Sequence, residues 1–105
     1  MKYPALQHLG LSDREVTIYL SLLESGPVSI RDIAAASGIN RGTTYETLKS
    51  LAQKGVVSYF PRGKRRVFMA EDPERLITLA ESKQHALAEA LEQLRSDVEI
   101  GRAHV

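Results

Sequence analysis

The residues of this chain that are best suited to bind another molecule are basic, and they lie in one segment. Residues 38–70 contain seven Lys or Arg and a single acid, Glu46, for a net charge of +6. Residues 1–37 carry −1 and residues 71–105 carry −4, so the formal charge of the whole chain is only +1. Clustered guanidinium and ammonium groups attract polyanions and bind phosphate. The charge distribution therefore indicates a surface for DNA.

Within this segment the candidate DNA-binding residues form two groups. The first is the turn of a predicted hairpin, residues 61–66, between strand-like residues 56–60 and 66–69. Its side chains can lie along the DNA backbone or enter the minor groove. The second is the tip and outward face of a predicted helix, residues 41–54, which offers a guanidinium, hydroxyls and a glycine for close approach to base edges. The residues expected to contact DNA are Asn40, Arg41, Gly42, Thr43, Tyr45, Glu46, Lys49, Arg62, Lys64, Arg65 and Arg66.

The same predicted helix also needs a side that packs on a core. Helical spacing assigns this side to Thr44, Tyr45, Leu48, Leu51 and Ala52. Thr47 and Ser50 then fall on the outward side, with Lys49 and Lys54 flanking it. Tyr45 is expected mainly to pack, with its hydroxyl at the rim in reach of a phosphate.

Two further helices are predicted before this one. Ser12 and Glu15 have the spacing of a capping box, and Val16, Tyr19, Leu20 and Leu23 follow it as an apolar stripe. Gly26-Pro27 ends this first helix, and Leu6 and Leu9 precede it in a short helical turn over the same core.

The second helix is short and leads directly into the third. Ser29 and Asp32 suggest a weaker box at its start, Gly38 suits the left-handed residue that ends a helix, and Asn40 caps the next helix. Two helices joined by three or four residues form a helix-turn-helix, and a basic hairpin after it forms a wing. The predicted fold is mainly α with a small β-hairpin, a winged helix-turn-helix over residues 1–71.

A long helix is predicted to follow, over residues 72–100, opening at Asp72-Pro73 and giving way to a frayed tail at 101–105 from Gly101 onward. Apolar positions recur in it at alternating steps of three and four, a heptad register with one polar position. These positions are Ile77, Ala80, Gln84, Leu87, Leu91, Leu94 and Val98. Such a coiled-coil helix is expected to pair with its copy in a homodimer, although packing within the monomer is an alternative.

Other classes of function lack the residues they need. The chain has no cysteine, and His8, His85 and His104 have no ligand spacing, so neither a metal nor a cofactor is expected. No phosphate-binding glycine loop and no nucleophile elbow occur, which argues against an enzyme. No apolar run is long enough to span a membrane, so a cytoplasmic location is expected.

In their sequence motifs, residues 9–76 resemble the winged-helix domain of TrmB-type transcriptional regulators. The resemblance is carried by an opening pattern, "LGLS..E...Y..L", and a recognition pattern, "G..R.TTYE.L..L...G.V". It implies a DNA-binding dimer, with base reading at Arg41, Gly42, Thr43 and Tyr45, wing contacts at Lys64 and Arg65, and dimerisation through the heptad helix. Full-length members carry a C-terminal effector-binding domain, and this chain ends where it would begin. Sugar sensing is therefore not expected from this segment, which is either a short stand-alone regulator or a fragment.

The sequence thus predicts a homodimeric transcriptional regulator of double-stranded DNA with a pseudo-palindromic operator. The recognition helix would enter the major groove, and the wing would contact the adjacent backbone or minor groove. The alternative is a winged helix used as a protein-protein interaction module in a larger transcription or chromosome-associated assembly. That use favours an apolar or mixed face and gives no reason for a basic wing.

Overall fold

A computed structural model describes residues 4–103 of the chain. Its elements are a 3₁₀ helix at Pro4–Leu9, α1 at Asp13–Ser25, β1 at Val28–Ser29, α2 at Ile30–Ser37, α3 at Arg41–Gln53, β2 at Val57–Arg62, β3 at Arg65–Ala70 and α4 at Arg75–Ala103. The first three helices pack against an antiparallel sheet of order β1-β3-β2. The predicted fold, a winged helix-turn-helix with a long C-terminal helix, is confirmed.

The start of α1 is fixed by the capping box that the sequence predicts. The Ser12 hydroxyl accepts a hydrogen bond from the Glu15 amide at 3.2 Å, and Glu15 Oε1 accepts one from the Ser12 amide at 2.9 Å. The buried side of the helix differs from the predicted stripe, because Ile18 and Leu22 are fully buried whereas Leu23 is 41% exposed. The helix is turned so that its central apolar residues face α2 and α3 together.

The helix-turn-helix is tight because each of its junctions has a local hydrogen bond. Ser29 Oγ accepts from the Asp32 amide at 3.3 Å, and Asn40 Oδ1 accepts from the Thr43 amide at 2.8 Å. Between them, Gly38 ends α2 with a φ of 72°, a conformation that costs a residue with a Cβ atom. The orientation of α3 against α2 is therefore set within three residues.

The wing is a regular hairpin that is longer than the sequence predicted. β2 and β3 pair from Val57 with Ala70 to Arg62 with Arg65, around a two-residue turn at Gly63 and Lys64. β1 adds a third strand that the sequence analysis missed, pairing Val28 with Phe68 and Ser29 with Val67. Because Ser29 also caps α2, the base of the wing is joined to the start of the helix-turn-helix.

One apolar core holds these elements together. Its largest fully buried members are Ile18, Tyr19, Leu22, Ile33, Leu48 and Leu51. Leu6 and Leu9 of the 3₁₀ helix pack against it, as predicted, and Leu76 and Leu79 bring the first turns of α4 onto it as well.

The long helix α4 begins later and ends later than predicted. Asp72 and Pro73 form a turn, in which the Asp72 carboxylate accepts from the Glu74 amide at 2.9 Å, and the helix starts at Arg75. It continues through Gly101 to Ala103, three residues past the expected end at residue 100. Residues 104 and 105 of the expected frayed tail lie outside the described residues.

Candidate nucleic-acid interface

The N-terminal turn of α3 is accessible to solvent. Asn40 caps it, and both Arg41 and Gly42 are exposed in its first turn. A Cβ atom added to Gly42 would meet only Asn40 Oδ1, at 3.5 Å, which is an ordinary van der Waals distance. Packing within the chain therefore does not require glycine at this position.

The two sides of α3 are divided differently from the sequence prediction. Thr47, expected to face outward, is buried and donates a hydrogen bond to the Thr43 carbonyl at 2.7 Å. Tyr45, expected mainly to pack, is 38% exposed. The reason is that Thr44, Thr47, Leu48 and Leu51 form the buried side together, which turns Tyr45 toward the wing.

Five cations from three elements line one cleft of about 280 Å³, here called the basic cleft. Arg31 comes from α2, Arg41 from α3, and Lys64, Arg65 and Arg66 from the hairpin, with Ser29 and Ile30 at its floor. No acidic side chain lines it. In the described part of the chain Lys54 pairs with Glu15 and His85 contacts Glu89, and none of the five cations of the cleft forms a salt bridge. Its composition suits an anionic ligand.

Arg31 was not among the predicted DNA-binding residues. In the sequence it stands apart from the basic segment, next to Asp32, and nothing local marks it. It reaches the cleft because β1 pairs Ser29 with Val67, one residue beyond Arg66. Only the non-local strand pairing reveals this residue.

A second cleft, here called the aromatic cleft, lies between α3 and the hairpin. Its volume is about 340 Å³. The Arg66 guanidinium lies 5.3 Å from the centre of the Tyr59 ring, and the Tyr59 and Phe68 rings are 5.5 Å apart. Tyr45 and Lys49 of α3 form the opposite wall. Arg66 therefore borders both clefts and joins them into one surface.

Lys54 does not flank this surface, although the sequence suggested it. Its ammonium contacts both carboxylate oxygens of Glu15, at 2.8 and 2.7 Å, and donates to the Gly10 carbonyl at 3.1 Å. Ser50 donates to the same carboxylate at 2.9 Å. Burial alone would raise the pKa of Glu15, but the hydrogen bonds from Lys54, the Ser12 amide and Ser50 outweigh it and lower the pKa below 4.5. The last turn of α3 is thus held to the first turn of α1.

The remaining predicted residues are distributed around the two clefts. Thr43 and Glu46 line a shallow depression with Gly42 and Arg14, on the side of α3 away from the wing. Arg62 is exposed at the hairpin tip, opposite Arg65. Asn40 acts as a cap. The structure thus brings Arg41, Lys64, Arg65 and Arg66 together, places Tyr45 and Lys49 beside them, and leaves Arg62 and Glu46 outside both clefts.

Comparison with known proteins places this arrangement in a family. The family described as sugar-specific transcriptional regulator TrmB matches residues 6–74, which include the helix-turn-helix and the wing. The chain belongs to the TrmB family. One relative, the HTH-type sugar-sensing transcriptional regulator TrmBL1 of Pyrococcus furiosus, is 39% identical over 69 residues, covering 66% of this chain and 20% of TrmBL1. The chain thus spans about a fifth of the length of that TrmB-family relative.

Two solved structures extend the comparison to α4. TrmBL2, described as an archaeal chromatin protein with a novel mode of DNA binding, superimposes with a TM-score of 0.79 at 26% identity, over 88% of this chain and 35% of TrmBL2. The homodimeric winged helix-turn-helix DNA-binding domain Mb0332 of Mycobacterium bovis gives 0.59 at 24% identity, over 84% of this chain and 80% of that one. This second likeness shows the fold alone.

The heptad stripe of this TrmB-family chain is exposed. Its five large apolar members are 50–70% accessible, and Gln84 is exposed as well. Ala80 alone is half-buried. The part of α4 that packs within the chain is a different face, formed by Leu76 and Leu79, with the Lys83 ammonium above Gly10. The stripe therefore does not serve the core of its own subunit.

Within residues 4–103, no helix is both long and apolar enough to cross a membrane. The same residues contain no group of three or more His, Cys, Asp or Glu side chains placed to hold a metal ion.

Proposed function

We propose that this chain is a sequence-specific, DNA-binding transcriptional regulator that acts as a homodimer. The observation that carries the proposal is the basic cleft, where five uncompensated cations from α2, α3 and the wing surround one cavity. Repulsion among such charges disfavours the isolated protein, and a phosphate seated among them removes it. TrmB-family membership supports the same reading.

The two sides of the cleft have separate roles in this mechanism. Helix α3 enters the major groove with its N-terminal turn, where Arg41 can donate two hydrogen bonds to a guanine and Gly42 permits close approach. Lys64 and Arg65 hold the adjacent phosphates, and Arg62 reaches farther along the backbone or into the minor groove. Arg31, across the cleft from the wing, binds the phosphate between them.

The aromatic cleft extends the contact along the same strand. Lys49 supplies a charge, and the exposed Tyr45 hydroxyl supplies a hydrogen bond, to the next phosphate beyond Arg66. Glu46 and Thr43, on the other side of α3, face base edges. There the Glu46 carboxylate can accept a hydrogen bond from a cytosine amino group, and the Thr43 hydroxyl can either donate or accept one.

The exposed stripe of α4 supplies the dimer. Paired stripes bury apolar surface that is otherwise in water, and they hold two winged-helix domains at a fixed separation. A symmetric dimer reads a pseudo-palindromic operator with one α3 in each half-site.

The test compares three alanine variants, each titrated against operator and scrambled duplexes at several salt concentrations. Arg41→Ala should cost about 1–3 kcal/mol on the operator and lower the operator-to-scrambled ratio. Arg65→Ala and Arg31→Ala should weaken both duplexes by similar factors and reduce the salt slope by about one unit each. Arg75→Ala, an exposed arginine outside the cleft, is the matched control and should leave both affinities unchanged.

Different outcomes would contradict different parts of the proposal. If Arg65→Ala collapses the ratio and Arg41→Ala does not, the roles of helix and wing are reversed. If no cleft variant changes affinity for either duplex, the proposal of DNA binding is wrong.

A protein-interaction role is the second candidate, and the exposed aromatic residues favour it. Tyr59 is 53% accessible, Phe60 41% and Tyr45 38%, and exposed aromatic side chains are typical anchors of protein interfaces. Binding to a protein through these rings would depend only weakly on salt, whereas binding to DNA depends on it steeply. Substituting Phe60, which lines neither cleft, by Ser should then weaken partner binding and leave DNA affinity intact.

A further inference from the structure

The residues that flank the exposed stripe of α4 on either side indicate how two copies would pair. On one flank lie Glu81, Ala88 and Arg95, and on the other Lys83, Ala90 and Asp97. In a two-stranded coiled coil these flanking positions meet across the interface, and their charges select the partner's direction and register. The residues from 81 to 99 are all exposed, and Lys83, whose ammonium lies over Gly10 in the single chain, has to turn toward the partner to pair.

An antiparallel pairing centred on residue 89 satisfies both flanks at once. In this register Leu87 packs against Leu91 of the partner subunit, Gln84 against the partner's Leu94, and Ala80 against the partner's Val98. Glu81 then lies beside the partner's Arg95, and Lys83 beside the partner's Asp97. By symmetry each contact occurs twice, so four opposite-charge pairs form and no like charges meet.

Near the dyad of this antiparallel pair, the flanking residues are small and allow close contact between the two helices. Ala88 meets the partner's Ala88, and Ala90 meets the partner's Ala90, one on each flank of the central leucine layers. Small side chains on the flanks of the central leucine layers let two helices approach closely. Shifting the register by one heptad separates both charged pairs.

A parallel pairing uses the flanks less well. It places Lys83 beside Ala88 and Ala90 beside Arg95, and only Asp97 meets a cation, at residue 102. It does stack Gln84 on its own copy, an arrangement that suits a polar layer. The charge pattern along the two flanks nevertheless matches the antiparallel register at every charged flanking position between 81 and 97.

We infer that α4 pairs with a second copy of this chain in the antiparallel direction, with its dyad at residue 89 and with Glu81–Arg95 and Lys83–Asp97 as the pairs that set the register. The inference rests on the proposed dimer and specifies its geometry. Arg75 lies about 14 residues from the dyad, so at 1.5 Å per residue the two winged-helix domains leave the rod about 42 Å apart. Adjacent major-groove half-sites are about 34–36 Å apart, about 6–8 Å less than this separation.

Single cysteines test the direction, because the chain contains none of its own. In the antiparallel dimer residue 94 lies about 15 Å along the axis from its own copy, so Leu94→Cys alone should not form a disulfide. Gln84→Cys alone should not either, whereas an equimolar mixture of the two variants should cross-link. Cross-linking of each variant with itself indicates a parallel dimer and overturns the inference, while the proposed homodimer stands.

Charge reversal tests the register with sedimentation as the readout. Glu81→Arg should weaken the dimer at least tenfold, Arg95→Glu likewise, and the double variant should recover most of the loss, because residues 81 and 95 never meet in a parallel pair. Glu89→Arg, on the outer face at the dyad, is the matched control and should leave the dimer unchanged. Loss without recovery in the double variant overturns the register. A monomeric wild-type chain overturns both this inference and the dimer on which it rests.

Discussion

Replacing Glu15 by Gln should loosen the attachment of α3 to α1 without creating a cavity in the core. The carboxylate accepts hydrogen bonds from the Ser12 amide, Ser50 and Lys54, and the last is also an ion pair at 2.7 Å. Hydrogen bonds to a charged group contribute about 1.5–3 kcal/mol, against about 0.5–1.5 for neutral ones. Lys54 keeps 26% of its side chain in water and recovers some hydration, so the net loss should be smaller than for a fully buried pair.

The expected loss is about 2 kcal/mol of unfolding free energy, or roughly 10 °C in melting temperature for a domain of this size. Urea unfolding followed by far-ultraviolet circular dichroism measures it. Lys54→Met and the double variant complete a cycle, in which the coupling energy should be about 1–2 kcal/mol. The matched control is Glu89→Gln, which breaks the exposed His85–Glu89 pair and should change stability by less than about 0.5 kcal/mol.

The pH dependence supplies an independent check on the same carboxylate. Since the pKa of Glu15 is lowered in the folded chain, its contribution is fully present above 4.5 and is lost as the pH falls through that value toward the folded pKa. The stability difference between wild type and Glu15→Gln should therefore be constant near neutral pH and shrink below about pH 4.5. A Glu15→Gln variant as stable as wild type at pH 7, or a difference independent of pH, would refute the reasoning.

Three other predictions concern the dimer helix and the turns. Replacing Leu87 and Leu91 together by Glu should give a folded monomer with weakened operator binding, because both side chains would be exposed in the monomer anyway; an unchanged dimer in sedimentation would place the interface elsewhere. Gln84→Leu should raise the melting temperature by removing the single polar position of the stripe, and a lower melting temperature would reveal a contact made by the amide. Gly63→Ala, at a φ of 64°, should destabilise the hairpin by about 1 kcal/mol and weaken DNA binding, whereas Gly42→Ala, at a helical position with room for a methyl group, should leave stability nearly unchanged in the same unfolding assay.

Features fixed by neighbouring residues could be predicted from the sequence. The capping box at Ser12 and Glu15, the left-handed Gly38 and the cap at Asn40 each depend on side chains at most three residues away. The heptad positions of α4 depend only on spacing. The basic character of the wing needed no more than the run from Arg62 to Arg66.

Features that depend on which elements meet could not be predicted in this way. In α1 two apolar stripes compete, and Ile18 and Leu22 are buried instead of Leu23 because α2 and α3 pack on that side. Tyr45 and Thr47 exchanged their expected sides for the same reason. Lys54 resembled a DNA contact because its partner Glu15 lies 39 residues away in the chain.

In the basic cleft, too, one position depends on contacts between parts of the chain that are distant in sequence. The hairpin residues and Arg41 of α3 line one cavity, a proximity that follows from the winged-helix fold alone. Arg31 was missed because its position depends on β1, whose two residues carry no strand pattern of their own and pair with residues 67 and 68.

The place where β1 stops has a consequence for altering the protein. The sheet has three strands only up to Val67, and from Arg66 to the turn the hairpin is a two-stranded ribbon with both edges in water. Each residue added to both strands near the turn would lengthen this ribbon by about 3.4 Å without displacing a core side chain. Wing length can thus be varied without repacking the core, and a series of insertions of increasing length beside Gly63 would measure how far the proposed wing contact extends along a duplex.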